Sequence, residues 1–384
     1  MGRVVLVFLK FPEPGKVKTR LAAAIGEEAA AKAYRQLVCR VIEQSRAAKP
    51  DRLVVAYDPP EKEAEIRKWI DPWLRAFPRE VGWLPQSGAD LGERLTVAME
   101  SEYTGNPGAE LAIVGTDCVH LDQSIFEETW SALEGDADVV FGPSEDGGYY
   151  LVAMKQPQVA LFRDIPWSSS TTLEASRAAA ASAGLVDHLL PTRFDVDEET
   201  EWERVVPEVS DRRCVFFDRD GVVNESPGDG YVLRWEDFHL QEGIAEALQW
   251  LREHDILSIL VTSQKGVGKG LMGPDELHRI HRNLQAALAD AGACFDAIYA
   301  FTGEPDCPHR PKPDPEMIET ACESFFIDPR QSWMIGDADR DIAMGKSAGL
   351  QGTIRVRSEK TIGIEADHTI DHATQIRDIF QEVL

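Results

Sequence analysis

At 384 residues the chain exceeds what one hydrophobic core usually serves, and 43% hydrophobic with 28% charged residues describes a folded rather than a disordered protein. The balance of 40 basic against 66 acidic residues, −26 in all, opposes a nucleic-acid partner, which needs a basic footprint. It does not oppose phosphate-bearing small molecules, because a few local cations and a metal can reverse the potential inside a cleft.

The first apolar run, VVLVFL at 4–9, has no small-residue cleavage site and enters a Pro/Gly loop, so it reads as a β-strand and not as an export signal. Nowhere does an apolar stretch reach the roughly eighteen residues a membrane span needs, so no membrane partner is expected. Next come an alanine-rich helix over 27–47, the strand RLVVAYD at 52–58 and a helix over 61–70. ELAIVGTD at 110–117 precedes a helix over 123–133, and ADVVFGPS at 137–144 reads as a further strand. Alternation of this kind predicts an α/β domain, a mostly parallel sheet with helices on both faces. The segment 197–212 is charged and carries Pro207, which places the domain boundary there and predicts domains over 1–206 and 212–384. The second half repeats the pattern with strands at 214–218, 256–262, 297–302 and 332–337 and helices over 243–254 and 275–291. Six scattered cysteines without paired spacing, and no export signal, point to the reducing cytoplasm.

Each strand of the second half ends at a polar cluster. Asp218-Arg219-Asp220-Gly221 follows the first and Thr262 ends the next; Lys312 lies in PKPDP, and Gly336-Asp337 with Asp341 follows the last. Side chains at the carboxyl ends of neighbouring strands in an open α/β sheet converge in one crevice. A lone Asp-x-Asp is more often a solvated turn, but this one ends a wholly apolar strand. Asp218, Asp337 and the main-chain carbonyl of Asp220 could hold Mg²⁺, a hard cation that takes oxygen ligands. Asp218 would then attack phosphorus, with Lys312 offsetting the repulsion between anions. Asp220, two residues on, would protonate the leaving oxygen and later activate water, while Thr262 holds the transferring oxygens.

These residues resemble the haloacid-dehalogenase phosphatase superfamily, and within it the branch of heptose-bisphosphate and histidinol-phosphate phosphatases. FFDRDGVVNE, GYVLRWEDFHLQEGIAEAL, LVTSQKGVGKG and KPDPEM with GDADRD fall in family order over about 213–356. The resemblance implies Asp218 as nucleophile, Asp220 as acid/base, Thr262 and Lys312 as phosphate binders and Asp337 as metal ligand. It also implies that Ser263, Gln264, Lys265, Arg310 and Asp341 face a phosphorylated small molecule, a sugar phosphate before others. Short spacings between the motifs leave no room for a large cap domain. Relatives carry a zinc loop of two cysteine-containing pairs; Cys307-Pro308-His309 supplies only one, so zinc is not expected.

In the first half, FPEPGKVKTRL at 11–21 links a strand to a helix and sets Gly15, Lys16, Lys18 and Arg20 at a helix start, which suits a di- or triphosphate, although alone it would read as a basic turn. Asp117 ends the strand ELAIV, the loop 86–94 carries Asp90, Gly92 and Arg94, Asp146 precedes two glycines, and Asp197 closes a late Asp-Val-Asp. In order these resemble the glycosyltransferase-A-like family with PxPGxxKTRL, GDLGxR, GxDxPxL, DGGYxL, PWS and DVD signatures, with Val119 replacing the proline of the third. The resemblance covers about 4–203 and implies a nucleotide or nucleotide sugar, with Mg²⁺ at Asp117 and Asp197. The whole chain thus reads as a bifunctional enzyme, a phosphatase joined to a glycosyl- or nucleotidyltransferase, with a non-catalytic nucleotide-binding module as the alternative for the first half.

Overall fold

The computed structural model describes residues 2–74, 77, 79–228 and 230–384. They form two compact units, Met1–Ile70 with Arg79–Val209 and Asp71–Pro78 with Ser210–Leu384. Among the described residues no helix is long and apolar enough to cross a membrane.

The first unit runs β1 (Arg3–Lys10), α1 (Thr19–Ile25), α2 (Glu27–Ala47), β2 (Arg52–Asp58), α3 (Glu63–Leu74, counted with the second unit from Asp71), β3 (Glu80–Pro85), α4 (Leu91–Gly105) and β4 (Glu110–Val114). It continues with α5 (Gln123–Glu134), β5 (Val139–Pro143), β6 (Tyr149–Met154), α6 (Thr172–Ser182), β7 (Asp187–Leu189) and α7 (Glu199–Val209). The seven strands lie in the order β3-β2-β1-β4-β6-β5-β7, parallel except for β6, which runs antiparallel to β4 and β5. Strands buried on both faces are written as unbroken apolar runs rather than alternating ones, and β4 and β5 are buried at all five positions. The chain lays β1, β2 and β3 towards one edge and then crosses back to place β4 on the other side of β1. That reversal opens a crevice beyond the carboxyl ends of β1 and β4.

Within the segment expected to hold the domain boundary, Glu199–Val209 form α7, which belongs to the first unit, and the division falls after Val209. Its charges cover one face only. Val205 and Val209 are buried against Leu37, Val119 and Val196, with Trp202 packed beside them, the spacing of an amphipathic helix. Pro207 stands inside the helix without ending it.

The second unit contains β8 (Cys214–Phe217), α8 (Ile244–Glu253), β9 (Leu257–Ser263), α9 (Pro274–Asp290), β10 (Ala297–Phe301), α10 (Glu316–Phe325) and β11 (Trp333–Gly336). α11 (Asp339–Ser347), β12 (Gly352–Val356), β13 (His368–Ile370) and α12 (Ile376–Val383) complete it. All six strands are parallel in the order β10-β9-β8-β11-β12-β13. The chain again lays strands to one side of its first strand and then to the other, so the reversal falls between β8 and β11. Phe217, the last residue of β8, is fully buried and meets Phe295 and Phe380 edge-on, with centroids 5.5 and 6.4 Å away.

This packing generates a stability prediction. Phe217→Ala should destabilise the second unit by about 3–5 kcal/mol, the usual cost of emptying a buried aromatic site. Chemical denaturation of the full chain checks it, and a loss below about 1 kcal/mol would mean that the ring is not the core element described.

Candidate functional site

In the second unit the strand reversal brings together the residues that follow β8 and β11. Asp218 and Asp337 are 2% and 1% exposed, and Asp341, one turn into α11, is fully buried. One oxygen from each of these three carboxylates lies within 4.8 Å of the others. Lys312 is the counter-charge between two of them: Nζ donates to Asp218 Oδ1 and to Asp341 Oδ1, each at 2.7 Å. The other oxygen of Asp341 accepts the amide of Ala338 at 3.0 Å. Asp218 Oδ2, by contrast, is buried and has no hydrogen-bond partner.

Burial dominates the electrostatics. It pushes the Asp218 carboxyl up, and Asp341 pushes the same way while Lys312 opposes both. Burial also raises Asp337, against the pull of Lys360, whose Nζ meets Oδ1 and Oδ2 at 2.7 and 2.6 Å. Burial alone would lower the Lys312 ammonium, but Asp218 and Asp341 outweigh it and hold the group raised, hence charged. A buried oxygen without a donor, in a nest of carboxylate oxygens, is what a hard divalent cation completes. The residues present therefore fit Mg²⁺.

Asp220, expected at the cation through its main-chain carbonyl only, keeps its carboxylate outside the three-carboxylate cluster; β8 ends at Phe217 and the chain turns through Gly221, whose φ is +95°. A side chain at Gly221 would stand 2.3 Å from Asp337 Oδ2, so the turn requires glycine twice over. The Asp220 carboxylate instead accepts from Arg219, from Asn224 Nδ2 at 3.1 Å and from Gln264 Nε2 at 2.8 Å. Burial would raise it, yet Arg219 and these donors prevail and hold it below the usual range. The same Gln264 nitrogen donates to Thr262 Oγ1 at 2.8 Å, and Ser263 Oγ accepts the Lys312 amide at 3.4 Å.

Two residues assigned to the substrate by the sequence have protein partners instead. Asp341 lies in the cluster itself, with no exposed surface and its oxygens taken by Lys312 and Ala338, so it anchors Lys312. Arg310 points outward and pairs with Asp314 at 3.4 Å, its side chain 71% exposed. Lys265 is exposed. Cys307 Sγ accepts the Thr302 amide and His309 Nδ1 faces Glu316 Oε1 at 3.2 Å. Lys360, Arg219, Asn224 and Arg355 were not anticipated. Arg355 is buried and holds the Asp337 carbonyl at 3.2 Å and Asp339 at 2.7 Å.

The first unit shows a related arrangement at its own reversal. Lys18, in left-handed backbone geometry just before α1, has a buried ammonium that bridges Asp117 and Asp197, the latter at 3.0 Å. Arg20 also pairs with Asp197, and Lys16 pairs with Glu13 at 3.0 Å. The three expected phosphate cations are thus already engaged with carboxylates, and among the described residues they form no free basic cradle. Gly15, at φ +76°, turns the loop. Asp90 caps α4 by accepting the Glu93 amide at 2.8 Å, and Arg94 ties Asp58 to the carbonyl of Gly88. Gly92 packs where a side chain would strike Phe162 and Trp167. Asp146, Asp117, Asp195 and Asp197 border a cavity of about 270 Å³ floored by Phe8, Leu95 and Trp167. Asp195 is pushed up to about 7 by burial first and by Asp117 second, whereas Lys18 is held raised by its two carboxylates against its burial.

Similarity to known proteins divides along the chain. A family model described as "haloacid dehalogenase-like hydrolase" matches residues 155–349, half of the chain, and one described as "Uncharacterized protein conserved in bacteria (DUF2064)" matches residues 41–169. A D-glycero-beta-D-manno-heptose-1,7-bisphosphate 7-phosphatase of Haemophilus ducreyi is 32% identical over 42% of this chain and 91% of its own length. The enzyme of the same name from Pasteurella multocida is 35% identical over 39% of this chain and 85% of its own. Among solved structures, a provisionally assigned nucleotide-diphospho-sugar transferase from Desulfovibrio desulfuricans aligns with TM-score 0.47 and 28% identity, covering 52% of this chain and 84% of that one. D,D-heptose 1,7-bisphosphate phosphatase from B. bronchiseptica, complexed with magnesium and phosphate, aligns with TM-score 0.41 and 27% identity over 44% of this chain and 99% of that one.

The Asp195 geometry carries a pH prediction. Its carboxyl has an ordinary value of 3.8 and a folded value of about 7, so between these limits the folded state binds a proton that the unfolded state releases. Stability contributed by this group is present at low pH and is lost as pH rises through about 7. Asp195→Asn should therefore melt higher than the parent above pH 7, with the gain vanishing towards pH 4. Thermal melts across that range check the sign; a difference independent of pH would contradict it.

Proposed function

This chain belongs to the haloacid dehalogenase-like hydrolases, and from that premise we propose that its second unit hydrolyses a sugar phosphomonoester. A heptose bisphosphate is the substrate for which its relatives are named. One observation carries the reading: Asp218, Asp337 and Asp341 converge with Lys312 in a buried cluster beyond the strand ends. Carboxylates that repel one another have no structural reason to be gathered so, and a phosphate site supplies the reason.

Asp218 is the nucleophile. Lys312 holds its carboxylate by one oxygen, on a strand end that the aromatic core locks. Attack on phosphorus forms the Asp218–phosphoryl bond and breaks the bond to the sugar oxygen, which takes a proton. Asp220 delivers that proton, which asks Arg219 and Gln264 to release it for the first half-reaction. Restored to its donors as the carboxylate, it takes a proton from the water that splits the acyl-phosphate. The Thr262 hydroxyl, already accepting from Gln264, keeps its own proton to donate to a phosphoryl oxygen. Mg²⁺ held by Asp218, Asp337 and the main-chain carbonyl of Asp220 would supply positive charge to offset the anionic phosphate. Ser263, the last residue of β9, and Lys265, on the loop beyond it, are the contacts proposed for the rest of the substrate.

For the first unit we propose nucleotide- or nucleotide-sugar-dependent transfer in the cavity bordered by Asp117 and Asp197. A second reading, a binding module without turnover, is favoured by the Lys18 bridge, which already neutralises the two carboxylates.

Two experiments follow. Asp218→Asn should fold normally and lose at least about 10³-fold in turnover, because an amide does not attack phosphorus; phosphate release from sugar phosphates measures it, and substantial activity with added Mg²⁺ removes the assignment. For the first unit, titration with nucleoside triphosphates and nucleotide sugars should show binding that Asp117→Ala weakens by about tenfold or more. Consumption of the nucleotide supports transfer, whereas binding without consumption supports the module, and binding by neither chain rejects both.

A further inference from the structure

Asp337 is the most fully enclosed member of the carboxylate cluster that has a partially exposed partner. Its side chain has no exposed surface, while the side chain of Lys360 that grips it is 34% exposed. Both Asp337 oxygens are occupied by one ammonium, at 2.7 and 2.6 Å. Lys312 differs in both respects, being sealed at 0% exposure and shared between two carboxylates. The cluster thus has one permanent cation and one that can leave.

The segment between β12 and β13 is built to let Lys360 move without moving itself. Ser358 Oγ donates to the Asp337 carbonyl at 3.3 Å. The amides of Gly363 and Ile364 donate to the Asp339 carboxylate at 2.8 and 3.2 Å. Arg355 holds the same Asp339 at 2.7 Å and the Ile364 carbonyl at 2.8 Å. None of these ties passes through the Lys360 side chain, so its long flexible stem can swing into water while the backbone stays anchored.

We propose that Lys360 is a tethered counter-ion that competes with the divalent cation for Asp337 and thereby sets the affinity of the phosphatase site for that cation. The inference rests on the phosphatase reading above. Three buried carboxylates need compensation at all times. With the ion absent, Lys312 and Lys360 supply it; with the ion present, a second ammonium against Asp337 is surplus positive charge and is repelled into solvent. Lys360 is a positioning residue in this account and contacts no reacting atom.

Calorimetric titration of the full chain with MgCl2 tests it, with Asp337→Asn run in parallel to identify which heat belongs to this site. Lys360→Gln should bind Mg²⁺ about fivefold more tightly than the parent, as expected when a partly exposed competing ion pair is removed. In EDTA the same variant should melt lower than the parent, and added Mg²⁺ should close the gap. Lys360→Arg, which keeps the charge, should stay within about threefold of the parent affinity. Unchanged or weaker Mg²⁺ binding by Lys360→Gln overturns the inference. A folded parent chain showing no Mg²⁺ heat that Asp337→Asn removes overturns the phosphatase reading instead, so the two failures are distinguishable.

Discussion

The burial of Lys312 between Asp218 and Asp341 is the interaction on which the second unit's chemistry depends. Removing a charge from water costs several kcal/mol per ion, and a cluster of three carboxylates repels itself besides. The ammonium is what makes such a cluster tolerable inside a fold, and its two 2.7 Å contacts fix which oxygen of Asp218 stays free. Breaking a buried pair of this kind leaves an uncompensated charge, so the anchor is structural and chemical together. The strand order explains why it is possible at all. β8 and β11 are neighbours, although more than a hundred residues separate them, and an aspartate directly follows each.

The first unit applies the same device at its own strand reversal, with Lys18 between Asp117 and Asp197. The outcomes differ. In the second unit one carboxylate oxygen remains buried and unmatched, which leaves the site chemically incomplete without a ligand. In the first, Lys16, Lys18 and Arg20 all meet protein carboxylates, and the adjoining cavity is acidic rather than basic. A polyphosphate entering that cavity needs divalent ions to accompany it or a rearrangement of those pairs.

Much of this was legible in the sequence because parallel strands buried on both faces are written as apolar runs, as at CVFF and WMIG, and the polar residue that ends each run marks the crevice. Other features were not. The α7 segment was read only as the place of the domain boundary because its charges are dense, and only the 202, 205, 209 spacing betrays a buried face. The side chain of Asp220 was expected to point as Asp218 does on strand geometry, but strand geometry stops one residue before the nucleophile and a turn through Gly221 places it instead. Asp341 read as a ligand contact because polarity marks a site without saying which way a side chain points. Lys360 sits in a polar stretch with no motif around it. Nothing local distinguishes it from a solvated lysine until β12 and β13 place that loop over Asp337.

The most direct measurement of the central claim is to trap the covalent state. Acid quenching during turnover of a sugar phosphate, borohydride reduction of any acyl-phosphate and peptide mass spectrometry would locate the phosphorylated side chain. Asp218 alone should be modified, converted by reduction to homoserine. Modification at another carboxylate, or turnover with no acyl-phosphate on Asp218, would contradict it.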